Sequence, residues 1–147
     1  MLKMEPLDKG QRLAQCDALL DTSAGSALLR TPPIAALVVD ALLHFDGDRY
    51  AMIAWCVMPN HVHVVLEPRG DHALSQIIKS WKAFTAARIN KTLGRVGRLW
   101  APDYFDRFMR SEEHLTTTIA YVENNPVAAG LCSSAADWPF SSAAARC

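Results

Sequence analysis

The run from Tyr50 to Glu67 does most to restrict how this 147-residue chain can fold. Tyr50 to Met58 is mostly apolar and rich in strand formers, as a buried strand would be. Pro59-Asn60 breaks that run, and a Val-rich, alternating stretch follows from His61 to Glu67. Two such stretches around a short breaker predict a β-hairpin.

Helical patterns lie on both sides of it. Thr31-Pro32-Pro33 opens a helix with Ile34, Leu37, Val38, Ala41 and Leu42 on one face. Asp46-Gly47-Asp48 reads as a turn. Asp71 to Thr92 is a long amphipathic helix, with Leu74, Ile77, Ile78, Trp81 and Phe84 at helical spacing. Gly94 and Gly97 sit in a loop, and Tyr104 to Met109 forms a short strand. Ser111 is placed to cap a last helix, with Glu112 and Glu113 where the helix dipole favours acids. That helix is expected to run to about Asn124 and to stop at Pro126. Residues from about Asp8 to Leu20 read as weakly helical. The order predicts one α+β domain over 1–147, with helices packed on an antiparallel sheet.

Half of the residues are hydrophobic, and a domain of this size buries roughly two thirds of its unfolded surface. It needs no disulfides. Cys16, Cys56, Cys132 and Cys147 form no C-x-x-C pair and read as reduced thiols of a cytoplasmic protein. Met1 to Gly10 has charges and no apolar run, so no signal peptide is expected, and no apolar stretch is long enough for a bilayer. The net charge is zero but unevenly spread. Arg69 to Arg110 holds nine basic residues against three acids, and the flanking segments are acidic. A basic block of this kind fits either a phosphate backbone or a solvated helix face.

Two short segments carry candidate chemistry. His61 and His63 are at i and i+2 on a strand, so both point to one face, about 6.5–7 Å apart along the backbone. Two imidazoles so placed can grip one divalent ion and leave positions open for water and substrate. Val62, Val64 and Leu66 would then face the core. The same pattern also describes two partly exposed strand histidines. In Tyr121-Val122-Glu123-Asn124-Asn125-Pro126, Tyr121 and Asn125 are four apart and share a helix face. A tyrosine hydroxyl is a competent nucleophile at phosphorus beside a metal, and an asparagine carbonyl can ligate that metal. A core tyrosine and a plain Asn-Pro helix stop are the other reading.

Taken together and in order, these segments resemble the single-tyrosine HUH transposases, named for histidine, hydrophobic residue, histidine. Trp55-Cys56-Val57-Met58-Pro59-Asn60-His61-Val62-His63-Val64-Val65-Leu66-Glu67-Pro68 is similar to their signature strand, and Y-V-E-N-N-P-V-A-A-G-L from Tyr121 to Leu131 to their nucleophile helix. Ser80 to Thr85, Arg98 to Trp100 and Tyr104 to Arg110 also match. Asp137-Trp138-Pro139-Phe140-Ser141-Ser142 points to the REP-associated tyrosine transposase branch. The resemblance covers about Leu19 to Cys147.

It implies a ferredoxin-like antiparallel sheet with helices on one face. It implies that His61, His63 and Asn125 hold Mg²⁺ or Mn²⁺, and that Tyr121 attacks a phosphodiester of single-stranded DNA. The products would be a 5′-phosphotyrosine and a free 3′-hydroxyl that can attack in turn. The partners implied are DNA hairpins from imperfect palindromes, with Lys79, Lys82, Arg88 and Lys91 on phosphates and the Arg95 to Arg98 loop reaching the hairpin. Trp100 and Tyr104 are candidates for base stacking, against a core-anchor role for Trp81, Trp100 and Trp138. Monomer and homodimer both occur among such proteins. No general base is identified, since His114 lies about two helical turns from Tyr121.

The chain departs from the family at one point. The family's first strand, which lies beside the histidine strand, has no β-like counterpart before Tyr50. A truncated start, replacement by residues near the N-terminus, or a decayed copy would each account for it. The gap supports a rival reading, a catalytically inactive DNA-binding remnant or repressor. A zinc hydrolase using His61, His63 and Cys56 is a third reading, against which the spacing of Cys56 speaks.

Overall fold

The computed structural model describes residues 13–25 and 27–146. In chain order its main elements are β1 (Ala14–Leu20), α1 (Pro32–Leu43), β2 (Tyr50–Val57), β3 (His61–Pro68), α2 (Leu74–Leu93), β4 (Trp100–Phe108), α3 (Glu112–Ala128) and α4 (Ser142–Ala145). The four strands form one sheet in the order β2-β3-β1-β4, with every neighbouring pair antiparallel. This is the α+β, ferredoxin-like arrangement that the sequence predicts.

The absence of a first strand is corrected. Residues 13–20 are not helical: Ala14–Leu20 is a strand at the centre of the sheet, paired with β3 on one side and β4 on the other. The earlier part of the expected helix, 8–12, lies outside the described residues. Ala-Gln-Cys-Asp-Ala-Leu-Leu has no β-branched residue, so its local preference is not for a strand. Two flanking ladders satisfy its backbone, and that tertiary pairing overrides propensity. Its period-2 pattern is nonetheless clear. Ala14, Cys16 and Leu20 are buried on one face, while Gln15 and Asp17 point to the other. The edge of β3 is therefore covered.

Strand alternation divides the core in two. Val62, Val64 and Leu66 of β3 join Ile34 and Val38 of α1 and Ile77 and Ile78 of α2. Val65 turns the opposite way and packs with Ala54, Cys56, Leu115 and Val122. Thus α1 and α2 cover one face, as expected, and α3 lies on the opposite face. The anchors hold: Trp100 Nε1 donates to Thr85 Oγ1 at 2.8 Å, Trp81 Nε1 to the Tyr50 hydroxyl at 3.2 Å, and Trp138 Nε1 to the Val57 carbonyl at 3.0 Å. Pro102 falls inside β4, which is tolerable because β4 is an edge strand with an irregular register there. Cys16, Cys56 and Cys132 are free thiols, and Cys147 lies outside the described residues.

The expected stop at Pro126 is also corrected. Helix α3 passes through Pro126 to Ala128 and is closed off by Gly130, whose φ is +75°. Gly130 N–H donates to Val127 O and Leu131 N–H to Pro126 O, both at 2.9 Å, which makes a Schellman closure. One proline near the end removes a single ladder bond, and burial of its ring offsets part of that cost. Ser111 caps the other end by accepting from His114 N–H at 3.0 Å.

Buried Glu123 fixes α3 to the chain's last helix. Its carboxylate accepts from Ser142 Oγ and pairs with Arg146. Glu123→Ala is expected to lower stability by roughly 1.5–3 kcal/mol, the range for hydrogen bonds to charged groups, read as a shift in the urea midpoint. An unchanged midpoint would mean that this clamp contributes nothing.

Candidate active site

On β3 the two-residue period sends His61 and His63 to the α3 side of the sheet, opposite to Val62 and Val64. Their rings meet edge to face with centroids 4.5 Å apart, and the two Nε2 atoms are 2.8 Å apart. Each Nδ1 is held from behind by an oxygen. His63 Nδ1 lies 2.7 Å from Asp17 Oδ1, and His61 Nδ1 lies 2.6 Å from Asn60 Oδ1. Asp17 reaches His63 because the two are cross-strand partners in the β1–β3 ladder. Asn60, in the hairpin turn, is itself anchored where Leu20 N–H donates to its carbonyl at 3.0 Å.

Tyr121 comes from α3. Its ring stands edge-on to His63 with centroids 5.8 Å apart, and it is 56% exposed. It lines an open cleft of about 480 Å³ with Gln15, Asp17, Phe105, Arg107 and His114. Asn125, one turn further along α3, lines an adjoining recess with Tyr121, Thr117 and Asn124. Because α3 continues to Ala128, Asn125 is inside the helix and not at a frayed end. Among the described residues no hydrogen bond joins Asn125 to either histidine.

The donor set suits a divalent cation. Neighbouring corners of an octahedron with bonds of ~2.1 Å lie about 3 Å apart, close to the Nε2 separation seen here. Burial, and then the neighbouring His63, push the His61 pKa down to about 4, so its lone pair stays available at neutral pH. Cys56 is the cross-strand partner of His63 on β2. It is fully buried among Leu115 and Val122, and burial pushes its thiol up to about 12. Among the described residues no three His, Cys, Asp or Glu side chains converge as a metal site, which leaves the zinc-hydrolase reading without a ligand set.

The basic residues lie elsewhere. Lys79, Lys82, Arg88 and Lys91 belong to α2, on the far face of the sheet from the imidazoles. Lys82 ties α2 to β4 by donating to the carbonyls of Ala101 at 2.9 Å and Asp103 at 3.2 Å. Arg88 lies over the Phe84 ring at 5.7 Å, while Lys79 and Lys91 are exposed. Arg95 donates to Asn90 Oδ1 at 2.6 Å, and Arg98 lies 3.8 Å from Asp21. Trp100 is buried and offers no face for stacking; Tyr104 packs against the α1–α2 core. The sequence reading missed Asp17, Asn60, Phe105 and Arg107. A lone acid on the polar face of β1 was the available signal for Asp17, hidden once that segment was read as a helix.

Comparison with known proteins places this geometry. Residues 44–125, more than half of the chain, match the model of IS200-like transposases, and the chain belongs to that family. A solved REP-associated tyrosine transposase bound to a REP hairpin superposes with a TM-score of 0.70 at 24% identity, covering 97% of this chain and 82% of that one. A protein of Deinococcus radiodurans R1 assigned as a transposase gives 0.52 at 21% identity, covering 84% and 97% respectively. These likenesses establish a shared fold. No curated protein sequence matches significantly. Among the described residues no helix is long and apolar enough to cross a membrane.

A pH dependence follows from His61. Unfolded, it takes up a proton near its ordinary value of 6.5; folded, only near 4. The unfolded state therefore binds more protons between those values, and stability must fall as pH drops from about 6.5 towards 4. In urea titrations with a chelator present, His61→Gln should lose part of that slope. Parallel pH profiles for the two proteins would contradict the lowered value.

Proposed function

We propose that this chain nicks and rejoins single-stranded DNA with Tyr121 as nucleophile, beside a divalent cation, Mg²⁺ or Mn²⁺, held by His61, His63 and Asn125. The observation that carries the reading is the exposed Tyr121 ring of α3 standing 5.8 Å, centroid to centroid, from His63 of β3, which is itself paired with His61. Membership of the IS200-like transposases supports the same chemistry.

The cation supplies charge stabilisation and orientation of the scissile phosphate. The Tyr121 oxygen forms the new bond to phosphorus, and the bond from phosphorus to the 3′ oxygen breaks. The proton lost by the phenol is balanced by the one the 3′ oxygen takes up. The product is a 5′-phosphotyrosine and a 3′-hydroxyl, which can attack in the reverse sense or from another end. One phosphoester replaces another, so no nucleotide cofactor is consumed. Exposure of Tyr121 suits this role, since the attacked strand must reach the ring from solvent.

The substrate is a DNA hairpin with a single-stranded flank, as the hairpin carried by the REP-associated structural relative suggests. Lys79, Arg88 and Lys91, which lie on α2 across the sheet from Tyr121, are suited to phosphates of the hairpin and not to the cleaved bond, and the Arg95 to Arg98 loop that follows α2 can join them. Lys82 is committed to main-chain carbonyls and acts as a strut. The protein works in the cytoplasm as a monomer or homodimer. With β1 in place, the truncated-remnant reading loses the gap on which it rested.

The test is a fluorescent hairpin oligonucleotide with single-stranded flanks, incubated with Mn²⁺ or Mg²⁺ and run on denaturing gels. Wild-type protein should give a shortened strand and a covalent protein–DNA band. Tyr121→Phe should lose both by at least about 1,000-fold while still shifting the hairpin on a native gel. A covalent adduct that survives in Tyr121→Phe, or hairpin binding by the wild type with no cleavage, would overturn the proposal.

A further inference from the structure

We infer that Asp17 is a positioning residue: it fixes the tautomer and ring angle of His63 so that the Nε2 lone pair stays open to the cation. The inference rests on the metal cradle proposed above and concerns a residue outside its ligand set.

The geometry is specific. Asp17 comes from β1, the central strand, and is the direct cross-strand partner of His63. Its Oδ1 lies 2.7 Å from His63 Nδ1. A carboxylate oxygen can only accept, so Nδ1 carries a proton, and in the neutral ring Nε2 carries the lone pair. His63 is 4% exposed, so this contact rather than solvent decides the tautomer. The matching contact from Asn60 Oδ1 to His61 Nδ1 assigns the same tautomer to the second ring. With both rings neutral, the two Nε2 lone pairs then face each other at 2.8 Å. Two lone pairs so close repel, and a shared cation would convert that repulsion into two bonds. Carboxylates behind metal-bound histidines act in this way, fixing ring orientation and raising basicity.

Asp17 is assigned to the second layer and not to the metal itself. Its Oδ1 is bonded to Nδ1, so the carboxylate stands behind the ring and away from Nε2. Asp17 with the two histidines does not form a three-ligand cluster either. A purely structural role, satisfying a buried imidazole, would leave stability as its only trace. The closing experiment therefore reads two other quantities.

The first is the His63 tautomer, from ¹⁵N chemical shifts of metal-free protein in the absence of DNA. The second is Mn²⁺ affinity by calorimetry. Wild type should show His63 protonated on Nδ1. Asp17→Ala should shift the proton towards Nε2 and weaken Mn²⁺ binding roughly 10- to 100-fold. Asp17→Asn keeps an oxygen acceptor and the side-chain shape, so it should retain the Nδ1 proton and lose less affinity than Asp17→Ala. It also serves if the alanine variant folds poorly. Unchanged tautomer and affinity in Asp17→Ala, with only the melting point altered, would overturn the inference. Asp17→Asn binding Mn²⁺ as weakly as Asp17→Ala while keeping the Nδ1 proton would overturn it too, by making Asp17 a ligand. Wild type that binds no Mn²⁺ would remove both the inference and the cradle. Failure of Asp17 alone, in a wild type that binds Mn²⁺ and cleaves hairpin DNA, would leave the proposed function standing.

Discussion

The alternation of side chains along β3 governs this molecule, because a strand with period 2 cannot place neighbouring residues on the same face. Val62, Val64 and Leu66 are committed to the core with α1 and α2, and this forces His61 and His63 to the α3 side. A slip of one residue would bury both imidazoles in the larger core and expose the valines. The cost of that slip, several apolar side chains moved to solvent, keeps the histidines in register. Packing on one face of the sheet thus sets where the two imidazoles stand on the other.

Helix α3 applies a second periodicity to the same region. Leu115, Val122 and Pro126 are buried against the sheet, and Glu123 is buried against α4 through Ser142 and Arg146. With those positions fixed, Tyr121 falls at the margin of the buried stripe, half exposed, with its edge towards His63. Asn125 follows one turn later, held in helical geometry by the closure at Gly130. The C-terminal segment contributes as well. Trp138 bonds to the end of β2, and Trp55 N–H donates to Ser142 Oγ at 3.0 Å, so the segment clamps α3 to the strand beside β3. The sequence Trp138 to Ser142 therefore bears on where Tyr121 sits without touching it.

Elements with strong local signals were legible in the sequence. The hairpin was marked by Pro59-Asn60 between two β-rich runs, α1 by its prolines and apolar stripe, and α3 by Ser111 and two acids. The candidate residues on those elements, His61, His63, Tyr121 and Asn125, take their places from them, and the structure brings His61, His63 and Tyr121 together. Two features were not. Residues 14–20 lack β-branched side chains, and their strand state comes from ladders with residues about 45 and 90 positions away, which no local window contains. Pro126 carries a strong local signal of the wrong sense, because its penalty near a helix end is one lost bond and the Schellman closure follows it. Losing β1 to a helical reading also concealed Asp17, since its contact with His63 exists only once the two strands are paired.

Placement of charge follows from the same sheet. Basic residues read as one block along the chain are distributed in space. Those of α2 lie behind the sheet, whereas Arg107 is on β4 in the cleft with Tyr121. The cleft itself holds Asp17 and Asp106 beside Arg107, so its charges nearly balance. A site of that kind does not draw a polyanion by charge alone. Under the function proposed above, attraction for a phosphate backbone would come largely from exposed cations outside the cleft, those of α2 among them, and the reacting phosphate would need local neutralisation at the paired imidazoles. Separating the two tasks has a physical advantage. In that proposed reaction, strong attraction at the cleft would hold the cut strand after each turn, while attraction on the opposite face would leave the strand ends free to exchange. If the proposed function holds, cations on the α2 side and a nearly neutral cleft on the other would suit rejoining ends as well as cutting them.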